Sequence, residues 1–381
     1  MIGELHKRLS LLAILSTCGA FAVGIGLTLP LLSLILERQG YPGTVNGLNL
    51  ATAGLAAFVI TPQVPRLLRR FGTAPYLTAS LIVSAAALIG LYAAPSLWLW
   101  FPLRFLLSLG LNGLFVASEF WINQLADETN RGRYVALYGI AISGGFGAGP
   151  AILYVVGTQG VGPFAAGAAM LCLAIVPVLI ARKEAPQLTE EKSGGVRGAL
   201  RTAPALLSAA LVFGALDAGL YGLFPVYAVR SGFSEAHAAL AVAATSLGSM
   251  VFQYPLGMLA DRFDRRALLA VCAASGIAGA ALMPFAIGTP AATYGLLFVW
   301  GGLVMGVYTV GLTLVGERFK GPELAGANAA YVMLYALGLL AAPPVEGVAL
   351  DAWNPTGLMA ALAAISLIYV AFLMVRRRRG A

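Results

Sequence analysis

Apolar residues run along this chain in twelve stretches of 20–29 residues, near 9–36, 45–65, 74–94, 97–125, 134–157, 162–181, 203–229, 236–260, 267–287, 291–316, 324–349 and 355–375. Each is long enough to cross a hydrocarbon core of about 30 Å as a helix, a form that satisfies its own backbone hydrogen bonds. Polar residues fall in the gaps, and the basic ones fall in every second gap. The N-terminus, the gaps after runs two, four, six, eight and ten, and the C-terminus hold 21 of the 24 Lys and Arg. The alternate gaps hold Arg38 and Arg230, and Arg104 falls inside a run. Basic residues concentrate on the cytoplasmic side of a membrane protein. The split therefore predicts both termini inside, which requires an even number of crossings.

Composition agrees with a polytopic membrane protein. Hydrophobic residues make up 59% and charged residues 10%, against about 25% charged in soluble chains. The net charge of +8 is topology signal and needs no nucleic-acid partner. The terminal Arg376, Arg377, Arg378 and Arg379 form a juxtamembrane cluster suited to anionic lipid. Cys18, Cys172 and Cys272 are scattered among apolar runs and read as small core residues, with no metal site or disulfide framework. The first run continues to Leu36, too long for the apolar region of a signal peptide.

The chain also repeats itself at a shift of about 192 residues. Arg38-Gln39-Gly40-Tyr41 falls on Arg230-Ser231-Gly232-Phe233, Gly110 falls on Gly302, and Gly149-Pro150 falls near Pro343-Pro344. The longest polar stretch separates the copies. The predicted organisation is an N-terminal six-helix bundle over 1–181, a cytoplasmic linker over 182–202, and a C-terminal six-helix bundle over 203–381. Two parallel repeats of six crossings are a transporter plan, with the solute site near the midplane between the halves. Asp127, Glu128, Arg131 and Arg133 read as a solvated loop.

The gap after run eight reads Gly257-Met258-Leu259-Ala260-Asp261-Arg262-Phe263-Asp264-Arg265-Arg266. This resembles the loop signature of the major facilitator superfamily, with Asp264 standing where the second glycine is usual. The equivalent gap after run two, Pro65-Arg66-Leu67-Leu68-Arg69-Arg70-Phe71-Gly72, is basic but lacks the aspartate. Gly145, Gly149 and Pro150 in run five resemble the core of that family's antiporter signature. Ala136 stands where an earlier glycine of that signature would be. The resemblance covers essentially the whole chain. It implies an all-α polytopic fold of two six-helix bundles related by pseudo-two-fold symmetry. Gly257, Asp261, Arg262, Arg265, Arg266, Gly145, Gly149 and Pro150 are its expected loop and gating residues.

The chemistry should lie in polar residues inside the runs, because a charge at the bilayer centre costs about 2.5–3.5 kcal/mol on insertion scales. In run four Arg104, Ser108, Asn112, Phe115, Glu119 and Asn123 recur every three or four residues. At 100° per residue they make one stripe about 100° wide. Such a stripe faces either a wet cavity or a neighbouring helix glued by hydrogen bonds. Run seven carries Asp217, with Tyr221 and Phe224 expected on the same face. The resemblance adds that the first, fourth, seventh and tenth helices of the family line a central cavity. Arg104 and Glu119 stand fifteen residues apart, about 22 Å along a helix, and cannot pair. An Arg104–Asp217 pair is compatible with their depths, and Arg104 as an anchor for an anionic solute is the other reading. Tyr308 and Trp300 in run ten are candidates for stacking on a solute. Glu346 is expected at the outer rim, in water. The glycine-rich run from Gly144 to Gly147 lies in an apolar helix and lacks a following Lys-Ser/Thr, so it reads as close helix packing and not as a phosphate loop.

These observations predict a secondary transporter in the plasma membrane (the bacterial inner membrane). It would move a small organic molecule by alternating access, coupled to protons, and the antiporter-like residues favour efflux. Proton-coupled uptake is the alternative direction. A transport-incompetent receptor, or an enzyme, is the alternative class, but His6 and His237 read as surface residues and neither as catalytic. No cofactor is expected beyond the coupling proton; the expected partners are the solute and the lipid bilayer, and the chain is expected to be a monomer. Single cysteines in a Cys-free background test the topology in intact cells. An impermeant thiol reagent should label a cysteine at position 39 and leave cysteines at 187 and 381 unlabelled. Labelling at 187 from outside would overturn the orientation.

Overall fold

A computed structural model describes residues 2–126, 131–186 and 202–378. Linker residues 187–201, loop residues Asp127 and Glu128, the side chain of Arg131 and those of the arginines from 377 on lie outside the described set. Twelve of the described helices are long and apolar enough to cross a membrane: His6–Arg38, Gly43–Ile60, Thr73–Ala93, Leu97–Leu125, Ala136–Val156, Gly162–Ile180, Leu206–Arg230, Glu235–Arg262, Arg265–Ala286, Pro290–Arg318, Gly326–Ala352 and Gly357–Arg376. They are numbered here as crossings one to twelve. A short basic helix, Val64–Phe71, follows the second. Large apolar side chains such as Trp98, Val155 and Phe285 point outward, 82–87% exposed, as hydrocarbon permits.

The ends of the crossings are written locally. Gly40 and Gly232 both adopt positive φ, +78° and +99°. In each case the helix closes with the same pair of reversed bonds: Tyr41 N–H to Leu36 O with Gly40 N–H to Glu37 O, and Phe233 N–H to Ala228 O with Gly232 N–H to Val229 O. A residue with a Cβ is disfavoured there, so this part of the sequence repeat encodes one stop signal used twice. Ser234 caps the eighth crossing by accepting from His237 N–H at 3.3 Å. Asp264, the departure from the loop signature, caps the ninth by accepting from Arg266 N–H at 2.9 Å.

The chain divides into two compact units, residues 1–31 with 55–190 and residues 32–54 with 191–381. The division passes through the first crossing just beyond Pro30 and through the second at Gly54. In the first unit, glycines bring the first and fifth crossings to backbone contact. A Cβ on Gly145 would strike Ala22, one on Gly149 would strike Gly26 and Leu27, and one on Gly26 would strike Phe146. Gly144 faces open space. The second unit repeats the device between the seventh and eleventh crossings. A Cβ on Gly214 would meet the Tyr335 carbonyl, and one on Gly338 the Leu211 carbonyl. Ala22 and Gly214 are 192 residues apart, so the repeat extends to the helix contact itself. It does not extend to every landmark. Gly110 packs on Ser80 and Ser84 of the third crossing, whereas Gly302 packs on Phe252 of the eighth.

The seventh crossing is not one α-helix. An α-helix over Pro204–Asp217 gives way to a π-helical segment, Ala218–Leu223, and resumes as Phe224–Arg230. Pro225 has no N–H to offer the Tyr221 carbonyl, and Phe224 N–H bonds to Gly219 O in the wider turn. Cys18 and Cys272 are core residues as expected, but Cys172 is exposed on the apolar surface of the sixth crossing. The glycine contacts predict a graded result in detergent melting. Gly149→Val should destabilise the protein by about 1–3 kcal/mol, the usual cost of overpacking. Gly144→Ala should melt with the wild type. Equal melting of all three proteins would refute the contact.

Candidate functional site

In the first unit the polar stripe of the fourth crossing changes character along its length. Arg104 and Ser108 are each 1% exposed, Asn112 and Phe115 are half-buried, and Glu119 and Asn123 are exposed. The stripe is therefore open only toward its C-terminal end. Toward the other end it packs on the first crossing. Arg104 Nη1 donates to the Thr28 carbonyl at 3.3 Å, and Phe115 meets Phe21 with ring centres 5.0 Å apart. Asn112 and Asn123 turn back along their own helix, donating to Ser108 O at 2.8 Å and Glu119 O at 2.9 Å. Arg104 Nε and Nη2 are buried with no hydrogen-bond partner. Stranded guanidinium donors in a dry interior are costly, and a negatively polarised group of a solute would satisfy them.

In the second unit Asp217 is half-buried at the last α-helical turn before the π segment. Its Oδ2 accepts from the Tyr335 hydroxyl at 2.8 Å. Tyr335 stacks on Phe213 at 5.7 Å, and Tyr308 lies 5.2 Å from Phe213 and 6.0 Å from Tyr335. Tyr331 closes the cluster, 5.1 Å from Tyr308 and donating its hydroxyl to the Tyr308 carbonyl at 2.8 Å. Asp217 thus sits at the edge of four aromatic rings drawn from the seventh, tenth and eleventh crossings. Among the described residues Arg104 is in no ion pair within the first unit, and Asp217 in none within the second.

Other expected positions are reassigned by packing. Trp300 is 1% exposed and lies against Gly279 of the ninth crossing, away from the cluster that holds Tyr308, so the two do not form a joint stacking face. Tyr221 stays beside Asp217, with which it interacts electrostatically, whereas Phe224, beyond the π segment, leaves that face. Tyr221 lies 3.4 Å from the Ser249 hydroxyl, and Phe224 is fully buried against Tyr227. Gly145, Gly149 and the buried Pro150 belong to the backbone contact of the first and fifth crossings. Glu346 is not at a wet rim. It is 0% exposed, and neither carboxylate oxygen has a partner.

The loop signature is a tie between helix ends. Arg265 donates to the Ala260 carbonyl at 2.7 Å and to Asp261 at 3.1 Å, and it pairs with Glu317 at the end of the tenth crossing. Arg262 is exposed, as is Arg266, whose backbone N–H enters the Asp264 cap. Gly257 faces open space.

A second ionic cluster, which the charge count does not reveal, ties the opposite helix ends. Arg230 grips Glu37 through two bonds of 2.9 Å and reaches Asp351 at 3.2 Å. Asp351 in turn accepts from the N–H groups of Gly43 and Thr44 at 2.7 and 2.8 Å, capping the second crossing from the eleventh. Arg38 pairs with Glu235 at 3.0 Å. A forked guanidinium–carboxylate pair is the strong form of this interaction. Together these bonds join the ends of five crossings, the first, second, seventh, eighth and eleventh. The signal for it was the pair Arg38 and Arg230, the two basic residues on the sparsely charged side.

Comparison with known proteins bears on this geometry. The family model described as Major Facilitator Superfamily matches residues 10–308 and again 231–381. The chain is 28% identical over 333 residues to the uncharacterized MFS-type transporter YfkF of Bacillus subtilis (strain 168), covering 84% of each. It is 27% identical over 367 residues to an uncharacterized MFS-type transporter of Yersinia pseudotuberculosis serotype O:3 (strain YPIII), covering 95% of this chain and 94% of that one. Among solved structures, the nucleoside transporter NupG superposes with a TM-score of 0.78 at 14% identity, covering 96% of both chains. A bacterial homolog of the human lysosomal transporter Spinster, in an inward-facing and unoccupied conformation, gives a TM-score of 0.70 at 14% identity over 97% of this chain and 95% of that one. These likenesses at 14% identity show the fold.

Proposed function

The chain belongs to the Major Facilitator Superfamily and is a secondary transporter, and from that premise we propose that it exports a small organic solute in exchange for protons. Asp217 carries the reading. It is the acid of the seventh crossing, half-buried, held by one phenol hydroxyl and by no cation among the described residues. A carboxyl so placed can hold or yield a proton without breaking an ion pair. Ionised, it only accepts from Tyr335; neutral, it can donate as well. The two forms therefore favour different arrangements of the seventh and eleventh crossings, and a proton shifts the balance between them. The aromatic cluster of Phe213, Tyr308, Tyr331 and Tyr335 gives an apolar solute body something to pack on. In the first unit Arg104, with two stranded donors, would bind a polar or anionic group. Glu119, exposed on the fourth crossing, is a second acid for the proton route.

The direction rests on the resemblance of Gly145, Gly149 and Pro150 to an antiporter signature. In this reading both termini face the cytoplasm, the protein is a monomer of the bacterial inner membrane, and the Glu37–Arg230–Asp351 cluster lies on the outer side. The solute is found first by a panel of small organic compounds scored by thermal stabilisation of purified protein. A ligand at a hundred times its Kd adds about 2.7 kcal/mol to apparent stability. In proteoliposomes Asp217→Asn should then abolish proton-driven accumulation of that solute and retain solute–solute exchange, since the amide keeps the shape of the neutral acid but cannot cycle. Transport by Asp217→Asn with the wild-type dependence on pH would overturn the proton role.

A further inference from the structure

The eleventh crossing carries an acid that transport by Asp217 does not use. Glu346 is fully buried with both oxygens unpartnered. Its surroundings are built to admit a carboxyl and little else. Gly219, inside the π segment, leaves the space: a Cβ there would stand 3.2 Å from Oε2 and 3.4 Å from Cδ, and would strike Leu362 of the twelfth crossing. On either side of Glu346 the second crossing reaches backbone contact with the eleventh, Gly43 against Gly347 and Gly47 against the Pro343 carbonyl. Ionisable acids and phenols within the elements around it are Asp217, Tyr221 and Tyr227 on the seventh crossing, Tyr294, Tyr308 and Glu317 on the tenth, Tyr331, Tyr335 and Asp351 on its own helix and Tyr369 on the twelfth. The second crossing contributes none. The basic residues of these elements lie at their ends: Arg230, gripped by Glu37 and Asp351, Arg318 closing the tenth crossing, and Arg376 closing the twelfth. A carboxyl in apolar surroundings with neither a cation nor a hydrogen-bond partner is stable only with its proton on.

The way out of this enclosure is marked as well. Asp351 follows Glu346 by five residues, about 7.5 Å along the helix, and it joins Arg230 and the N-terminus of the second crossing. We infer that Glu346 is a proton-binding site, opened and closed by the Glu37–Arg230–Asp351 cluster. With the cluster parted, the carboxylate takes a proton from hydronium on that side, forming an O–H bond and leaving water. With the cluster closed, the neutral acid is sealed in. The reverse step returns the proton to water. The inference rests on the transporter reading and extends it. Asp217 and Glu346 flank the π segment on adjacent crossings, so a change in that segment is felt by both.

Infrared difference spectra of the full protein, reconstituted in phosphatidylcholine vesicles and stepped in pH, test this without any solute. The carbonyl stretch of a protonated, unbonded carboxyl should appear in the wild type, vanish in Glu346→Gln and persist in Asp217→Asn. On transfer to D2O its isotope shift should develop slowly in the wild type and roughly tenfold faster or more in Arg230→Gln, because exchange needs local opening. Gly219→Ala, which brings a methyl against the carboxyl, should move the band and serves as a second variant if Glu346→Gln does not fold. A band indifferent to both substitutions, or no band, overturns the site. Removal of the band by sodium at fixed pH shows a metal-cation site and overturns the proton assignment. Equal exchange in wild type and Arg230→Gln overturns the gate. Failure in these spectra leaves the transporter reading standing, and failure of the solute panel leaves the spectra unaffected.

Discussion

Hydrocarbon offers no hydrogen-bond partner, and every feature of this protein answers to that. A backbone in such a medium must satisfy itself, which restricts the crossings to helices. Lipid is as apolar as a leucine core, so burying apolar side chains gives the helices little reason to associate. What remains is close packing and internal polar contact. The glycines that set the first crossing against the fifth, and the seventh against the eleventh, supply the first. Their value lies in the absent Cβ, which lets two backbones touch over several residues. The arginine forks at the helix ends supply the second, where the surroundings are polar enough for ions to survive.

The same constraint separates structural polar groups from those with a task. Asn112, Asn123 and Thr28 turn their side chains back on their own helices. Arg104, Asp217 and Glu346 do not fit that pattern. Arg104 has donors to spare, Asp217 rests on one hydroxyl, and Glu346 has no partner at all. Leaving a buried ionisable group so poorly paired costs stability. Three ionisable groups left so fit the proposed roles, in which the missing partner is a proton or a solute. The π segment belongs to the same economy. It sits beside both acids, and wide turns of this kind are commonly found at functional positions.

The sequence made the crossings legible because a helix of about 20 apolar residues is a one-dimensional object. The run at 97–125 and the helix Leu97–Leu125 have the same bounds. The repeat was equally plain at Gly40 and Gly232, where a backbone conformation dictates the residue. What could not be read were relations across long separations. Tyr335 and Asp217 are 118 residues apart, and nothing local in either names the other. Glu346 looked like a rim residue because two prolines precede it, yet its burial depends on a glycine in the seventh crossing. Phe224 was misplaced for a nearer reason. Pro225 was visible, and the wider turn before it carries Phe224 off the face that Asp217 and Tyr221 share. The polar stripe on the fourth crossing was right as a pattern, but a pattern carries no depth. Its N-terminal part is buried and its C-terminal part exposed.

The most direct measurement is the pH change on adding solute to purified protein in a lightly buffered detergent solution. If solute and proton compete through the buried acids, saturating solute should release protons from the wild type, and the amount should fall when Asp217 is replaced by Asn. Saturable solute binding with no proton released at any starting pH would contradict proton coupling through these residues.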